Sequence, residues 1–118
     1  MMSKIDGVRK KELIAEYKQQ DTAGGVFRIW NRESGKSLIK GDINLQAVEN
    51  RLRFSQKIDS PFTIALQQDW SRYGGDSFSL EILEEAKQSA GESLGAFKDR
   101  LKRMEESWKE KYPSQSIY

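Results

Sequence analysis

The sequence predicts an α+β fold: a small three-stranded, mainly antiparallel sheet flanked by helices, with an extra helix at the N-terminus. Three observations carry this prediction. Between Gly25 and Gly41, two short apolar runs flank a polar turn, which is the pattern of a β-hairpin. A third run, Ser77 to Leu83, alternates apolar and polar side chains with the period of a strand. Between and after these runs, apolar residues recur at helical spacing. A hairpin alone is marginal in water, so the third strand and the helices are needed to cover it.

In chain order, Val8, Leu13, Ile14 and Tyr17 are spaced as on a short amphipathic helix, and the turn formers Asp21 to Gly25 end it. Residues 1–24 thus read as an N-terminal helical extension and residues 25–118 as the domain proper. In the first strand Phe27 and Ile29 alternate with Val26, Arg28 and Trp30. Asn31 to Gly35 is the turn, and Lys36 to Lys40 returns with Leu38 and Ile39 as its apolar centre. Asp42 or Asn44 caps a helix in which Leu45, Val48 and Leu52 share one face. Ser60, directly before Pro61, reads as the cap of a second helix, with Phe62, Ala65, Leu66, Asp69, Trp70 and Tyr73 as its inner face. Gly74-Gly75 ends it. The third strand puts Phe78, Leu80 and Ile82 on one side. Leu94, Phe97, Leu101, Met104 and Trp108 then mark a last helix that packs on the sheet and stops before Pro113. The tail from Ser114 to Tyr118 shows no pattern.

With 36% hydrophobic and 32% charged residues among 118, the chain is long and apolar enough for one core under a charged surface. It holds no cysteine and no histidine, which excludes disulfides, thiolate nucleophiles, zinc fingers and imidazole bases. Catalysis would fall to carboxylate, tyrosine, lysine or arginine. The start, MMSKIDGVRKKEL, has no apolar core of a leader, and no stretch approaches the roughly 18 to 20 apolar residues of a membrane span. A cytoplasmic location away from membranes is the expectation. The formal net charge of +2 permits a nucleic-acid partner without demanding one.

Gly25-Val26-Phe27 lies eleven residues ahead of Leu38-Ile39-Lys40, with Ser34-Gly35-Lys36 before the second triplet and Gly41-Asp42-Ile43-Asn44-Leu45 after it. Further on come Ile64 to Trp70, then Tyr73-Gly74, then Asp76 to Glu85. This layout, from about Gly25 to Tyr112, resembles the GIY-YIG endonuclease family. Its two named triplets lie on the first two strands of a small α/β domain. The resemblance implies a site made of two triplet tyrosines, an arginine on the first helix after the hairpin and a glutamate on the last helix. In that picture the glutamate holds a divalent metal, here Mg²⁺, a tyrosine helps activate water and the arginine meets the phosphate charge.

Carried over by position, the tyrosines fall on Phe27 and Leu38, the second-triplet glycine on Lys40 and the arginine on Val48. Only the glutamate persists, as Glu105, three residues before Trp108. A phenyl ring or an isobutyl group transfers no proton, so the family chemistry is missing its hydroxyls. Glu105 reads in two ways: a relic catalytic and metal position, or a glutamate at the rim of the apolar stripe, ion-paired with Lys102 or Lys109. Arg51 lies one turn beyond Val48 and is the nearest candidate for a phosphate contact. Lys40, Arg51, Arg53 and Lys57 form a candidate nucleic-acid surface beside the hairpin, which Arg28 and Arg32 would extend.

The expectation is a catalytically degenerate GIY-YIG-like domain, non-catalytic and either associated with nucleic acid, with DNA as the candidate partner held through phosphates, or regulatory. Two alternatives stand beside it. One is an active metal-dependent endonuclease with a rearranged site. The other is a protein-interaction module that kept only the fold, which exposed Trp30 and Phe54 would favour.

Overall fold

The computed structural model describes residues 23–118, so the expected N-terminal helix lies outside the described residues. Three strands, β1 (Gly24–Asn31), β2 (Ser37–Asp42) and β3 (Phe78–Ala86), form an antiparallel sheet in the order β2-β1-β3. Three helices accompany it: α1 (Leu45–Lys57), α2 (Gln67–Tyr73) and α3 (Leu94–Lys109). The predicted α+β architecture is the observed one.

The hairpin turn is built by Asn31, which is fully buried. Its side-chain oxygen accepts the N–H groups of Glu33 and Ser34, both at 2.8 Å, and its amide donates to Ser77 Oγ at 2.8 Å. Gly35 completes the turn at φ +77°, a left-handed conformation with little penalty only for glycine. In register, Phe27 faces Lys40, Arg28 faces Ile39 and Ile29 faces Leu38. The alternation thus divides the sheet into two faces.

One face carries the main core. Phe27, Ile29, Leu38 and Phe78 meet Leu45, Val48 and Leu52 of α1, and Leu66 and Trp70 from the start and middle of the second helical segment. Burying this many large side chains contributes about 1.5 to 3 kcal/mol each, and this drives helix docking. The other face is covered by α3. Buried Val26, Ile39, Phe97 and Leu101 lie outside the main cluster, and α3 packs chiefly on β2 and β1.

Two local expectations are corrected. Asn44 does cap α1, accepting from the Ala47 N–H at 3.0 Å. Ser60, however, closes α1 and does not open the next helix. Asp59 turns left-handed at φ 55°, Ser60 N–H donates to Ser55 O at 2.9 Å and Asp59 N–H donates to Gln56 O. This is the pattern of a Schellman closure. The chain then bends at Phe62 and Thr63, makes one 3₁₀ turn over Ile64–Leu66 and becomes helical only at Gln67, so of the expected inner face Phe62 precedes the helix and Ala65 and Tyr73 are exposed. The C-terminal tail is also structured. Ile117 bridges to Ser37 in parallel, and Tyr118 N–H donates to Ser37 O at 2.9 Å.

Candidate functional site

The four family positions fall on two sides of β2. Phe27, Leu38 and Val48 are all buried and belong to one apolar cluster. Phe27 and Leu38 sit there because residues facing α1 alternate with residues facing α3, and Val48 because it shares the inner stripe of α1 with Leu45 and Leu52. No titratable atom is among the three.

Glu105 comes from α3, on the opposite face. Gly41 points toward that helix, where a Cβ would stand 2.9 Å from the Leu101 carbonyl oxygen, so the missing side chain lets α3 lie close against the strand. Since β2 has β1 on one side only, its Gly41 N–H points to the open edge. Glu105 Oε1 accepts it at 2.9 Å. Oε2 takes the ammonium groups of Lys102 and Lys109, both at 3.2 Å, from one helical turn before and one after. Glu105 is only 3% exposed. Burial by itself raises its pKa, yet the Gly41 N–H and the two lysines outweigh burial and hold it below the usual carboxylate range. Beside it opens a cleft of about 460 Å³ between Gly41–Ile43 and the Lys98–Glu105 stretch of α3.

These donors do not suit a divalent cation. Both oxygens of Glu105 already accept, one from an N–H and the other from two ammonium groups that would repel a metal ion. Among the described residues no group of three or more His, Cys, Asp or Glu side chains converges. Magnesium sites are built from oxygen donors. The pairing with Lys102 and Lys109 was legible from the helical spacing; the Gly41 N–H was not.

Of the basic residues, Arg51, Arg53 and Lys57 lie exposed on α1, and Lys40 is exposed on β2, in register with Phe27 and so on the α1 side of the sheet. The Arg51 guanidinium sits over the Phe62 ring at 4.4 Å, and Arg53 pairs with Glu49 at 2.8 Å. Arg28 and Arg32 do not extend this surface. Arg28 is on the α3 face, bonded to Ser37 and Glu81 and packed over Trp30 and Tyr112. Arg32 donates to Ser79 Oγ at 2.7 Å and to the Asp76 carbonyl.

A second buried carboxylate, Asp69, lies on the inner face of the second helical segment as its spacing predicts, but its partners carry no sequence signal. Asp69 Oδ2 accepts the Tyr118 hydroxyl at 2.5 Å and the Ser34 hydroxyl at 2.7 Å, tying α2, the tail and the hairpin turn together. Burial raises the Asp69 pKa, but these two hydroxyls, with Lys36 and Arg72, bring it below the usual value. The Tyr118 hydroxyl is pushed up, by burial first and then by Asp69.

No family model matches the sequence, and no curated protein matches it. Solved structures do. The catalytic domain of the homing endonuclease I-TevI superposes with a TM-score of 0.56 at 20% identity, covering 75% of this chain and 86% of that one. A second I-TevI structure, the catalytic domain of the intron endonuclease with a glutamate-to-alanine mutation, gives 0.55 at 18% identity, covering 75% and 82%. No described helix is long and apolar enough to cross a membrane. I-TevI is a GIY-YIG homing endonuclease, and the chain described here has a GIY-YIG-like fold.

Proposed function

We propose that this chain is a catalytically degenerate GIY-YIG-like domain that associates with nucleic acid through phosphates without cutting it. The observation that carries the reading is the state of the four family positions: three apolar side chains packed in a core and one carboxylate already paired with two lysines. Nothing at Phe27, Leu38 or Val48 can take a proton from water or meet a phosphate. Glu105 serves to dock α3 on β2. Lys40, Arg51, Arg53 and Lys57 would meet phosphates as point charges, giving binding with little sequence preference.

Supercoiled plasmid with Mg²⁺ or Mn²⁺ tests the first half. The expected result is no metal-dependent nicking; nicking that copurifies with the protein and disappears in Glu105→Ala overturns it. Titration of a labelled duplex at two salt concentrations tests the second half. Affinity should fall steeply with salt, with a log–log slope of about −0.9 per phosphate contacted. Salt-insensitive or strongly sequence-selective binding contradicts a phosphate-only mode, and no binding at low salt favours a protein partner.

A further inference from the structure

We propose that the outward face of α1 is a docking surface for single-stranded nucleic acid, on which the Phe54 ring stacks a base while Arg51, Arg53 and Lys57 hold the flanking phosphates. This rests on the nucleic-acid reading above and names the substrate class for it.

The helix buries Leu45, Val48, Leu52 and Ser55. At 100° per residue, Phe54 then stands on the opposite side, and it is 59% exposed. Lys57 follows it by one turn. Arg53 flanks one side of the ring and Arg51 the other, so cations bracket an aromatic centre. Arg51 is itself stacked on half-buried Phe62. Glu49 is the only acidic residue of α1, and its pair with Arg53 is exposed on both sides. An exposed i,i+4 pair is weak, so Arg53 can exchange Glu49 for a phosphate with little loss. Ile58, four residues after Phe54 and also exposed, continues the apolar strip along the helix.

The strand state follows from what the ring can reach. In a duplex the base faces are hidden in the stack, and a convex helix meets only phosphates and groove edges. A single strand offers its π-faces, which suit an exposed ring set among cations.

Fluorescence anisotropy with a labelled oligo-dT of about 20 nucleotides, and with a duplex of equal length, tests this at low salt. Phe54→Ala should weaken oligo-dT binding at least about fivefold and change duplex binding less than about twofold. Phe54→Trp should keep oligo-dT binding, whereas Phe54→Leu, apolar but without a π-face, should lose it like alanine. Lys57→Gln should weaken both probes and flatten the salt dependence. Unchanged melting temperatures verify the fold. If Phe54→Ala leaves oligo-dT binding unchanged, or weakens both probes equally, the platform is overturned while the nucleic-acid reading stands. If the wild type binds neither probe, both are overturned, and the exposed ring falls to a protein partner.

Discussion

The Gly41 N–H donates to Glu105 Oε1 across 2.9 Å, joining the open edge of β2 to the helix that covers the sheet. With Lys102 and Lys109 on the second oxygen, the carboxylate is satisfied from both elements. Such a buried acceptor stabilises only while ionised.

Its loss should therefore be pH-dependent. Because the folded pKa of Glu105 is depressed, its contribution is complete above the ordinary carboxylate range and is lost as pH falls through the lower, folded value. Glu105→Gln should cost about 1 to 3 kcal/mol at neutral pH, since the lysines can rehydrate but the geometry is lost. Thermal melts from about pH 7 down to about pH 3 should show wild type and variant converging in acid. Parallel curves at every pH would mean that the ion pair adds nothing.

The family positions should report as core. Leu38→Ala should cost about 2 to 5 kcal/mol, as for a buried leucine whose cavity only partly collapses. Val48→Arg, which puts a charge where the resemblance places an arginine, should cost more than about 3 kcal/mol because the guanidinium enters an apolar cluster. Urea denaturation of both variants measures this. A near-neutral Leu38→Ala would place the side chain outside the core.

Gly41→Ala probes how closely α3 lies on β2. Its Cβ would meet the Leu101 carbonyl oxygen at 2.9 Å and Leu101 Cβ at 3.2 Å, so the helix must retreat. The expected destabilisation is about 1 to 3 kcal/mol, with the Glu105 contact weakened at the same time. Hydrogen exchange should speed up in α3 while α1 keeps its protection.

Tyr118→Phe removes one donor from Asp69 and keeps the ring against Phe78. A loss of about 1.5 to 3 kcal/mol is expected for a hydrogen bond to a buried charge. With that donor gone, the Asp69 pKa rises toward its ordinary value. The acid-side loss of stability should then begin at higher pH in the variant than in wild type. Identical acid limbs would contradict the assignment.

Local patterns were legible where neighbouring residues decide the outcome. Asn44 is a cap in the sequence pattern and in the structure alike, because its side chain bonds a backbone N–H only three residues on. The alternation at Phe27 to Trp30 located β1 for the same reason. Ser60-Pro61 looked equally like a helix start, yet the left-handed Asp59 used the Ser60 N–H to close α1. That choice lies in the backbone dihedral of Asp59, for which a residue other than glycine gives only a weak signal. The tail gave none at all: Tyr118 is held by Ser37 and Asp69, far away in the chain.

Period and spacing by themselves determined the three strands, the inner stripe of α1 and the Phe97–Leu101 face of α3, because side-chain direction repeats every two residues in a strand and every 3.6 in a helix. Spacing also put Lys102 and Lys109 within reach of Glu105, while the absence of hydroxyls at Phe27 and Leu38 has meaning only through the resemblance. Only the tertiary structure decided that Phe27, Leu38 and Val48 share a core on one side of the sheet while Glu105 approaches β2 from the other. It alone decided that Arg28 and Arg32 are taken up by partners on β2, β3 and the turn before β3, which leaves Arg51, Arg53 and Lys57 outward on α1. The physical reason is that which charges meet depends on how helices cross the sheet, and that crossing is set by long-range packing of apolar faces, which no window of neighbouring residues contains.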